Sequence, residues 1–424
     1  MPPDGAISNI SMQRHTTPTC QFCDAPLIHT FCDLGMSPPS NAYLSEENLR
    51  QSEPFFPLHA FVCDKCKLVQ LEQFQAPSEI FSDYAYFSSY SQSWLEHSKD
   101  YVSKMIPRLG LNADSQVIEI ASNDGYLLQY FQQEGVPVLG IEPAGNVAAV
   151  AIEKGIPSTV AFFGVETAEK LVMDGVKADL LLGNNVLAHV PDIKDFVAGM
   201  KIILADAGTI TMEFPHLLKL MMFNQFDTIY HEHFSYLSLH TVRDIFAAHG
   251  LTVFDIDEIP THGGSLRIYA QHTEQEPTQC KPMTKVLQDE KDAGLCDIET
   301  YTQFQMNVQK TKRALLSFLI DAKNNGQTIV GYGAAAKGNT LLNYCGIRND
   351  FIDYVVDKNP HKQGRFLPGT HIPIHTPEKI SETKPHYVLI LPWNIQEEVI
   401  EQMSMVRSWG GQFVVPIPEV KVLA

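Results

Sequence analysis

At 424 residues the chain is long enough for two or three domains, each with its own packed core. Hydrophobic residues make up 44 % and charged residues 19 %, the balance of a folded globular protein and not of a disordered one. A formal net charge of −18 lacks the basic footprint of a nucleic-acid binder, so no nucleic-acid partner is expected, whereas a local positive pocket can still serve an anionic small ligand.

Residues 1–19 read as a disordered tail. The stretch from Met1 to Cys20 holds no apolar core of secretory-signal length. No apolar run approaches the roughly 18 to 20 residues of a membrane span, so no membrane partner is expected. Four of the eight cysteines form two C-x-x-C pairs, Cys20-Gln21-Phe22-Cys23 and Cys63-Asp64-Lys65-Cys66. Two such turns complete a four-thiolate site, for which structural zinc is the natural ion and a reducing cytoplasm the expected compartment. The other reading is a redox thiol pair, but neither pair opens a helix after a strand. The 39 residues between Cys23 and Cys63 exceed ribbon spacing and show little periodicity, so a large extruded loop is expected. Residues 20–90 are taken as this zinc-binding module. Its end, Phe81 to Ser91, is dense in hydroxyls and aromatics. It is either an amphipathic packing segment or a lid with Tyr84 reaching inward.

Residues 91–272 read as a first nucleotide-type fold. Trp94 to Leu109 is a helix, and Gln116 to Ile120 a buried strand entering Ala121-Ser122-Asn123-Asp124-Gly125. A helix through Glu134 and a strand ending at Glu142 follow. This is the dinucleotide-type strand–turn–helix–strand unit, with the terminal acid 17 residues beyond Gly125, where it can hold ribose hydroxyls. Asn123-Asp124 would crowd a pyrophosphate with an acid. An acidic loop suits the cationic sulfonium of S-adenosylmethionine, whose carboxylate Asn123 and the backbone can hold. The expected cofactor residues are Glu119, Ala121, Asn123, Gly125, Glu142 and Asn185. The strand Ala178 to Gly183 delivers Asn185 and His189 to the ligand edge, where His189 is either a site residue or a satisfied polar residue. The strand Gly208 to Pro215 leads to Tyr230-His231-Glu232-His233. A phenol, two imidazoles and a carboxylate in succession suit a site better than a core, because each polar group needs a partner. Thr261-His262-Gly263-Gly264-Ser265-Leu266-Arg267 adds a glycine turn beside an arginine.

Residues 273–424 read as a second α/β domain. A long helical pattern runs from Met283 to Lys323. A strand then enters Gly331-Tyr332-Gly333-Ala334-Ala335-Ala336-Lys337-Gly338, a G-x-G-x-x-A turn that alone resembles a NAD site. Lys337 beside a helix N-terminus suits a diphosphate of any origin. Trp393 either stacks on a base or packs in the core.

The paired C-x-x-C turns, Glu-Ile-Ala-Ser-Asn-Asp-Gly, Asn-Val-Leu-Ala-His-Val-Pro-Asp, Tyr-His-Glu-His-Phe-Ser-Tyr-Leu-Ser, His-Gly-Gly-Ser-Leu-Arg and Gly-Tyr-Gly-Ala-Ala-Ala-Lys-Gly together resemble the S-adenosylmethionine-dependent C-methyltransferases of deoxysugar biosynthesis, in order from about residue 20 to 395. The resemblance implies an α/β protein with an N-terminal zinc-binding module, a central Rossmann-like methyltransferase fold and a C-terminal Rossmann-like α/β domain. It implies a nucleotide-linked 4-keto deoxysugar substrate, often dTDP-linked, methylated on a ring carbon such as C3. It also implies active-site residues Tyr84, His189, Tyr230, Glu232 and His233.

A sugar C–H is acidic only beside a ketone that can take up the charge as an enolate, so a base of near-neutral pKa is required. His233 is the first choice and Tyr230 the competing one. Glu232 orients the imidazole or holds a sugar hydroxyl. Expected substrate contacts are Arg267, Gly333, Lys337, Asn339 and Trp393, and the metal ligands are Cys20, Cys23, Cys63 and Cys66. A monomer is expected. The second reading is a NAD(P)-dependent sugar-nucleotide oxidoreductase built on the C-terminal fold.

Overall fold

The computed structural model describes residues 17–76, 87–275 and 281–423. The central sheet has seven strands in the order Leu251–Ile259, Ser265–His272, Leu204–Pro215, Ala178–Asn184, Val117–Ile120, Val138–Ile141, Ser158–Thr159. The last five run parallel, and Ser265–His272 is antiparallel to both neighbours. All four residues of Val117–Ile120 are buried, as a central parallel strand covered on both faces requires. Its entry helix, Gln92–Leu109, starts where the Ser91 side chain accepts the Trp94 N–H and stops at left-handed Gly110.

A second sheet has six strands in the order Ile374–His375, Val355–Val356, Ile329–Tyr332, Tyr387–Ile390, Gln412–Val415, Lys421–Leu423, parallel except for the last. It is entered through helices that the sequence read as one. The pattern from Met283 to Lys323 is broken into Lys281–Asp292, Ile298–Thr302 and Phe304–Asn324. Gly294, at φ +82, ends the first of these.

The N-terminal sheet departs most from expectation. The residues between the cysteine pairs are not merely a loop. His29–Ser37 and Phe56–Val62 form an antiparallel pair, extended by Val69–Leu71 and then by Ser235–Tyr236. The extruded part is the connector 38–55. The fourth strand belongs to the segment that follows Tyr230-His231-Glu232-His233, so that cluster is hydrogen-bonded into the cysteine-bearing sheet.

Packing follows the same joins. One apolar core combines Phe31, Leu58 and Val62 with Leu217, Phe226 and Ile229 and with Tyr301, Phe304 and Leu389. Phe31 and Phe304 stack at 4.6 Å. A second core sets Leu27 and Leu68 against Ile118, Leu181, Phe214 and Leu237. The three parts therefore share buried apolar surface, and the polar cluster lies at their seam. Among the described residues no helix is long and apolar enough to cross a membrane.

Candidate active site and metal centre

The two C-x-x-C turns are copies of one geometry. The residue after each pair, Asp24 or Lys67, is left-handed, and its N–H returns to the carbonyl of the first cysteine, Cys20 or Cys63. The four sulfurs lie within 4.8 Å of one another, with Cys20 to Cys66 at 3.5 Å and Cys23 to Cys63 at 3.4 Å. A tetrahedral zinc with bonds near 2.3 Å needs sulfur–sulfur edges of about 3.8 Å, so the set fits that ion. The close contacts run between the turns and not within each pair, unlike a redox C-x-x-C. Gln70 donates to the Cys20 sulfur at 3.2 Å, a supporting contact of the kind that steadies a metal-bound thiolate.

At the carboxyl edge of the central sheet, the loop 121–125 turns through left-handed Ala121, Asn123 and Gly125. A side chain at Gly125 would strike Ile156 at 2.9 Å. Glu142 accepts the N–H of Asn123 at 2.9 Å and that of Ala144 at 2.8 Å, so its carboxylate braces the loop from below. Asn123 accepts the Ser88 N–H at 2.8 Å. Asp124 is paired with Lys154 at 3.0 Å and takes a bond from Ser89. The acid of this loop is thus ion-paired with Lys154, which offsets part of the charge it could offer a sulfonium. What does fit a polar cofactor is a group of buried acceptors without a well-formed bond: both oxygens of Glu119, Ser122 Oγ, Asp124 Oδ1 and Asn185 Oδ1. Burial holds the Glu119 carboxyl well above its usual range, with the Tyr126 phenol beside it. S-adenosylmethionine brings hydroxyl, ammonium and amine donors to such a set.

The polar cluster splits by direction. His231 turns toward the N-terminal sheet, donating to the Pro57 carbonyl at 3.2 Å and packing on Phe56. Tyr230 and His233 lie ring against ring at 4.0 Å, and His189 meets His233 at 4.6 Å and 71°. His233 Nδ1 is 2.9 Å from the Thr228 carbonyl, and His189 Nδ1 is 2.7 Å from that of Glu232. A carbonyl only accepts, so both rings carry their proton on Nδ1 and present Nε2 as a lone pair. Burial lowers both imidazoles, His189 to about 4 and His233 well below its ordinary value. Each is neutral at pH 7. Burial raises the Glu232 carboxyl to about 7, against a 2.7 Å bond from Asn41. Thr228, and not Glu232, therefore orients His233. Tyr84 lies outside the described residues.

The C-terminal domain closes the seam. Lys337 reaches Asn394 Oδ1 at 2.6 Å and sits 4.8 Å over the Trp393 ring. The Trp393 indole donates to buried Asp227 at 2.8 Å, so this ring is an interface residue and not a free stacking platform. Burial raises the Asp227 carboxyl to about 7. A Cβ at Gly333 would meet Pro392 at 2.5 Å. Two further expected substrate contacts are committed elsewhere. Asn339, 2 % exposed, donates to the Ser40 carbonyl at 2.8 Å. Arg267, 5 % exposed, pairs with Glu213 at 2.9 Å.

Sequence reasoning did not pick out Asn41, Asp227, His97 or His262. His262 is left-handed at φ +54 and faces Asn185, itself at φ +55, at 3.1 Å. Its place before two glycines was the available signal: any side chain at Gly263 would strike Trp393 and Gln225 at 2.6 Å.

Three family models match the chain in succession. Residues 20–81 match a zinc binding domain, 94–256 a methyltransferase domain and 260–418 a C-methyltransferase C-terminal domain. C-methyltransferase NovU of Streptomyces niveus is 34 % identical over 405 residues, 96 % of each chain. The chain belongs to the S-adenosylmethionine-dependent C-methyltransferases. Among solved structures, an S-adenosylmethionine-dependent methyltransferase from Clostridium acetobutylicum ATCC 824 aligns at 9 % identity and TM-score 0.34, covering 42 % of this chain and 92 % of that one. Magnesium protoporphyrin IX methyltransferase from Synechocystis PCC 6803 aligns at 16 % and 0.32, covering 46 % and 88 %. The zinc binding domain match spans all four clustered cysteines, and the methyltransferase domain match spans the loop 121–125. The matches do not favour the oxidoreductase reading.

Proposed function

We propose that this C-methyltransferase acts on a nucleotide-linked 4-keto deoxysugar, dTDP-linked, and methylates its C3 through an enolate. The observation that carries the reading is the geometry of the His233 imidazole, with its Nδ1 proton spent on Thr228 and its Nε2 lone pair left for a substrate hydrogen; burial keeps it neutral but makes it a weaker base than the near-neutral one the sequence called for. Glu119, Ser122 and Asn185 would hold S-adenosylmethionine against the loop that Glu142 braces, and the cofactor when bound would supply an electrophilic methyl group. His233 Nε2 takes the proton from the carbon beside the ketone, and the C–H electron pair moves onto the carbonyl oxygen. Tyr230, packed on His233, stands where a phenol can donate to that oxygen or share the proton. Glu232 and His189 hold sugar hydroxyls. Lys337, at the start of the helix Ala336–Cys345, meets the diphosphate that ties the sugar to its base. Four thiolates kept free for a metal support a reducing cytoplasm as the compartment.

The test is product mass. The protein is incubated with methyl-labelled cofactor and a panel of nucleotide-linked sugars, with and without a 4-keto group. Label gained at carbon only in 4-keto members supports the reading. Label at oxygen, or equal label in sugars lacking the ketone, overturns it.

A further inference from the structure

The connector 38–55 of the zinc-binding sheet does not stay with that sheet. It crosses to the seam between the catalytic segment and the C-terminal domain, and it is tied down on both sides of Asn41. Before it, the Ser40 carbonyl accepts from Asn339 at 2.8 Å, both residues being buried. After it, the Tyr43 hydroxyl donates to the Ala334 carbonyl at 2.5 Å, and Leu44 bridges Phe366. Asn41 itself donates from Nδ2 to Glu232 Oε1 at 2.7 Å. This is the orientation that stabilises the ionised carboxylate, which can only accept. The Glu232 side chain is 7 % exposed, and among the described residues Asn41 is its one hydrogen-bond donor.

We infer that Asn41, carried by the insert between the two cysteine pairs, is a positioning residue for the reaction, its amide holding the Glu232 carboxylate in place at the cleft. The zinc module thereby contributes to the active site, and its long insert has a use beyond metal binding. This inference rests on the proposed role of Glu232.

Glu232 is faced by Asn41 and Tyr43 from the connector, while its own carbonyl is taken by His189. Burial raises its carboxyl and the Asn41 bond opposes that rise. Removing the amide therefore moves the carboxyl further up.

The experiment uses full-length, zinc-loaded Asn41→Ala, Asn41→Asp, Glu232→Gln and the Asn41→Ala/Glu232→Gln double variant. kcat/KM is measured from pH 5.5 to 9 with the dTDP-linked 4-keto sugar that turns over in the product assay. Asn41→Ala is expected to lose about tenfold or more, the scale of one bond to a charged group, with its acid limb shifted to higher pH. In the Glu232→Gln background the same change costs less than about twofold, because the partner is already gone. Asn41→Asp, which puts an acid opposite an acid, falls below Asn41→Ala at neutral pH. Zinc content and thermal midpoint report whether each variant is folded, and Asn41→Asp stands if Asn41→Ala is not. An unshifted profile, or losses that simply multiply in the double variant, overturns the inference. Should Glu232→Gln retain full activity, the role given to Glu232 fails first. Should Glu232→Gln be impaired and Asn41→Ala normal, only the positioning inference fails.

Discussion

His233 Nδ1 stands 2.9 Å from the Thr228 carbonyl oxygen, five residues earlier in the chain. That local bond decides which nitrogen is basic, without help from a carboxylate. Replacing His233 with Asn removes the lone pair and keeps a polar side chain. Methyl transfer should fall by about 10² to 10⁴, with cofactor affinity and thermal midpoint close to the parent. Exchange of the hydrogen beside the ketone with D2O, followed in the presence of S-adenosylhomocysteine, should fall by the same factor. Unchanged exchange would move the base to another residue. Tyr230→Phe in the same assay separates the two candidates: a donor role slows exchange and methylation by a similar modest factor, and a base role abolishes exchange.

The metal predicts a linked loss. Ser235–Tyr236 completes the sheet that carries Cys63 and Cys66, through its pairing with Val69 and Gln70. Cys63→Ser should cut zinc content, lower the thermal midpoint and reduce methyl transfer together, because the strand leaving His233 loses its partner. Buried Cys32 lies outside the ligand set, and burial raises its thiol far above the usual range. Cys32→Ala should retain the metal. Atomic absorption and thermal unfolding check both; a zinc-free Cys63→Ser protein of parental stability and activity would contradict the coupling.

Lys337 predicts a split between ligands. Its ammonium touches Asn394 and the Trp393 face, not the cofactor loop. Lys337→Ala should raise KM for the nucleotide sugar by about 10- to 100-fold, the range for a bond to a charged group, and leave the affinity for S-adenosylmethionine within about twofold. Steady-state kinetics with each ligand varied in turn measure the split. Equal losses for both ligands would place Lys337 in the scaffold.

Residues whose signal is local were readable from the sequence. Each cysteine turn, the loop Glu119 to Gly125 and the run Tyr230 to His233 is written in a few consecutive residues, and the two cysteine turns meet in one cluster as their repeated spacing predicted. What escaped were partners brought from afar. Asn41 meets Glu232 across 191 positions and Trp393 meets Asp227 across 166. No periodicity encodes such pairs. Arg267 was read as a ligand contact because it follows a glycine turn, but its partner Glu213 stands on the neighbouring strand, directly opposite in register. The connector 38–55 looked featureless because its conformation is set by Ala334, Asn339 and Phe366, not by its own pattern. The helix read through Met283 to Lys323 is periodic enough, yet Gly294 admits a left-handed residue and ends the first segment.

Glu213 is the buried hub behind the cofactor edge. One oxygen accepts from Thr261 at 2.9 Å; the other meets Arg267 at 2.9 Å and His97 at 3.0 Å. Burial alone would raise its carboxyl, but the His97 and Arg267 contacts outweigh it and hold the group at about 2, below its ordinary 4.5. A depressed folded-state pKa stabilises the fold above the unfolded value. That contribution is complete above about pH 4.5 and is lost as pH falls toward 2. Glu213→Gln should therefore be less stable than the parent at neutral pH, and the gap should close on acidification through that window. Glu213→Ala should cost about 3–5 kcal/mol, because Arg267 is left buried over the Tyr101 ring without a counter-charge. Removing both ends, as Glu213→Gln with Arg267→Met, should recover part of the loss, since the uncompensated charge goes with the arginine. Thermal unfolding across pH 2.5 to 7.5 measures all three; a stability gap independent of pH would mean that Glu213 is not ionised in the folded protein.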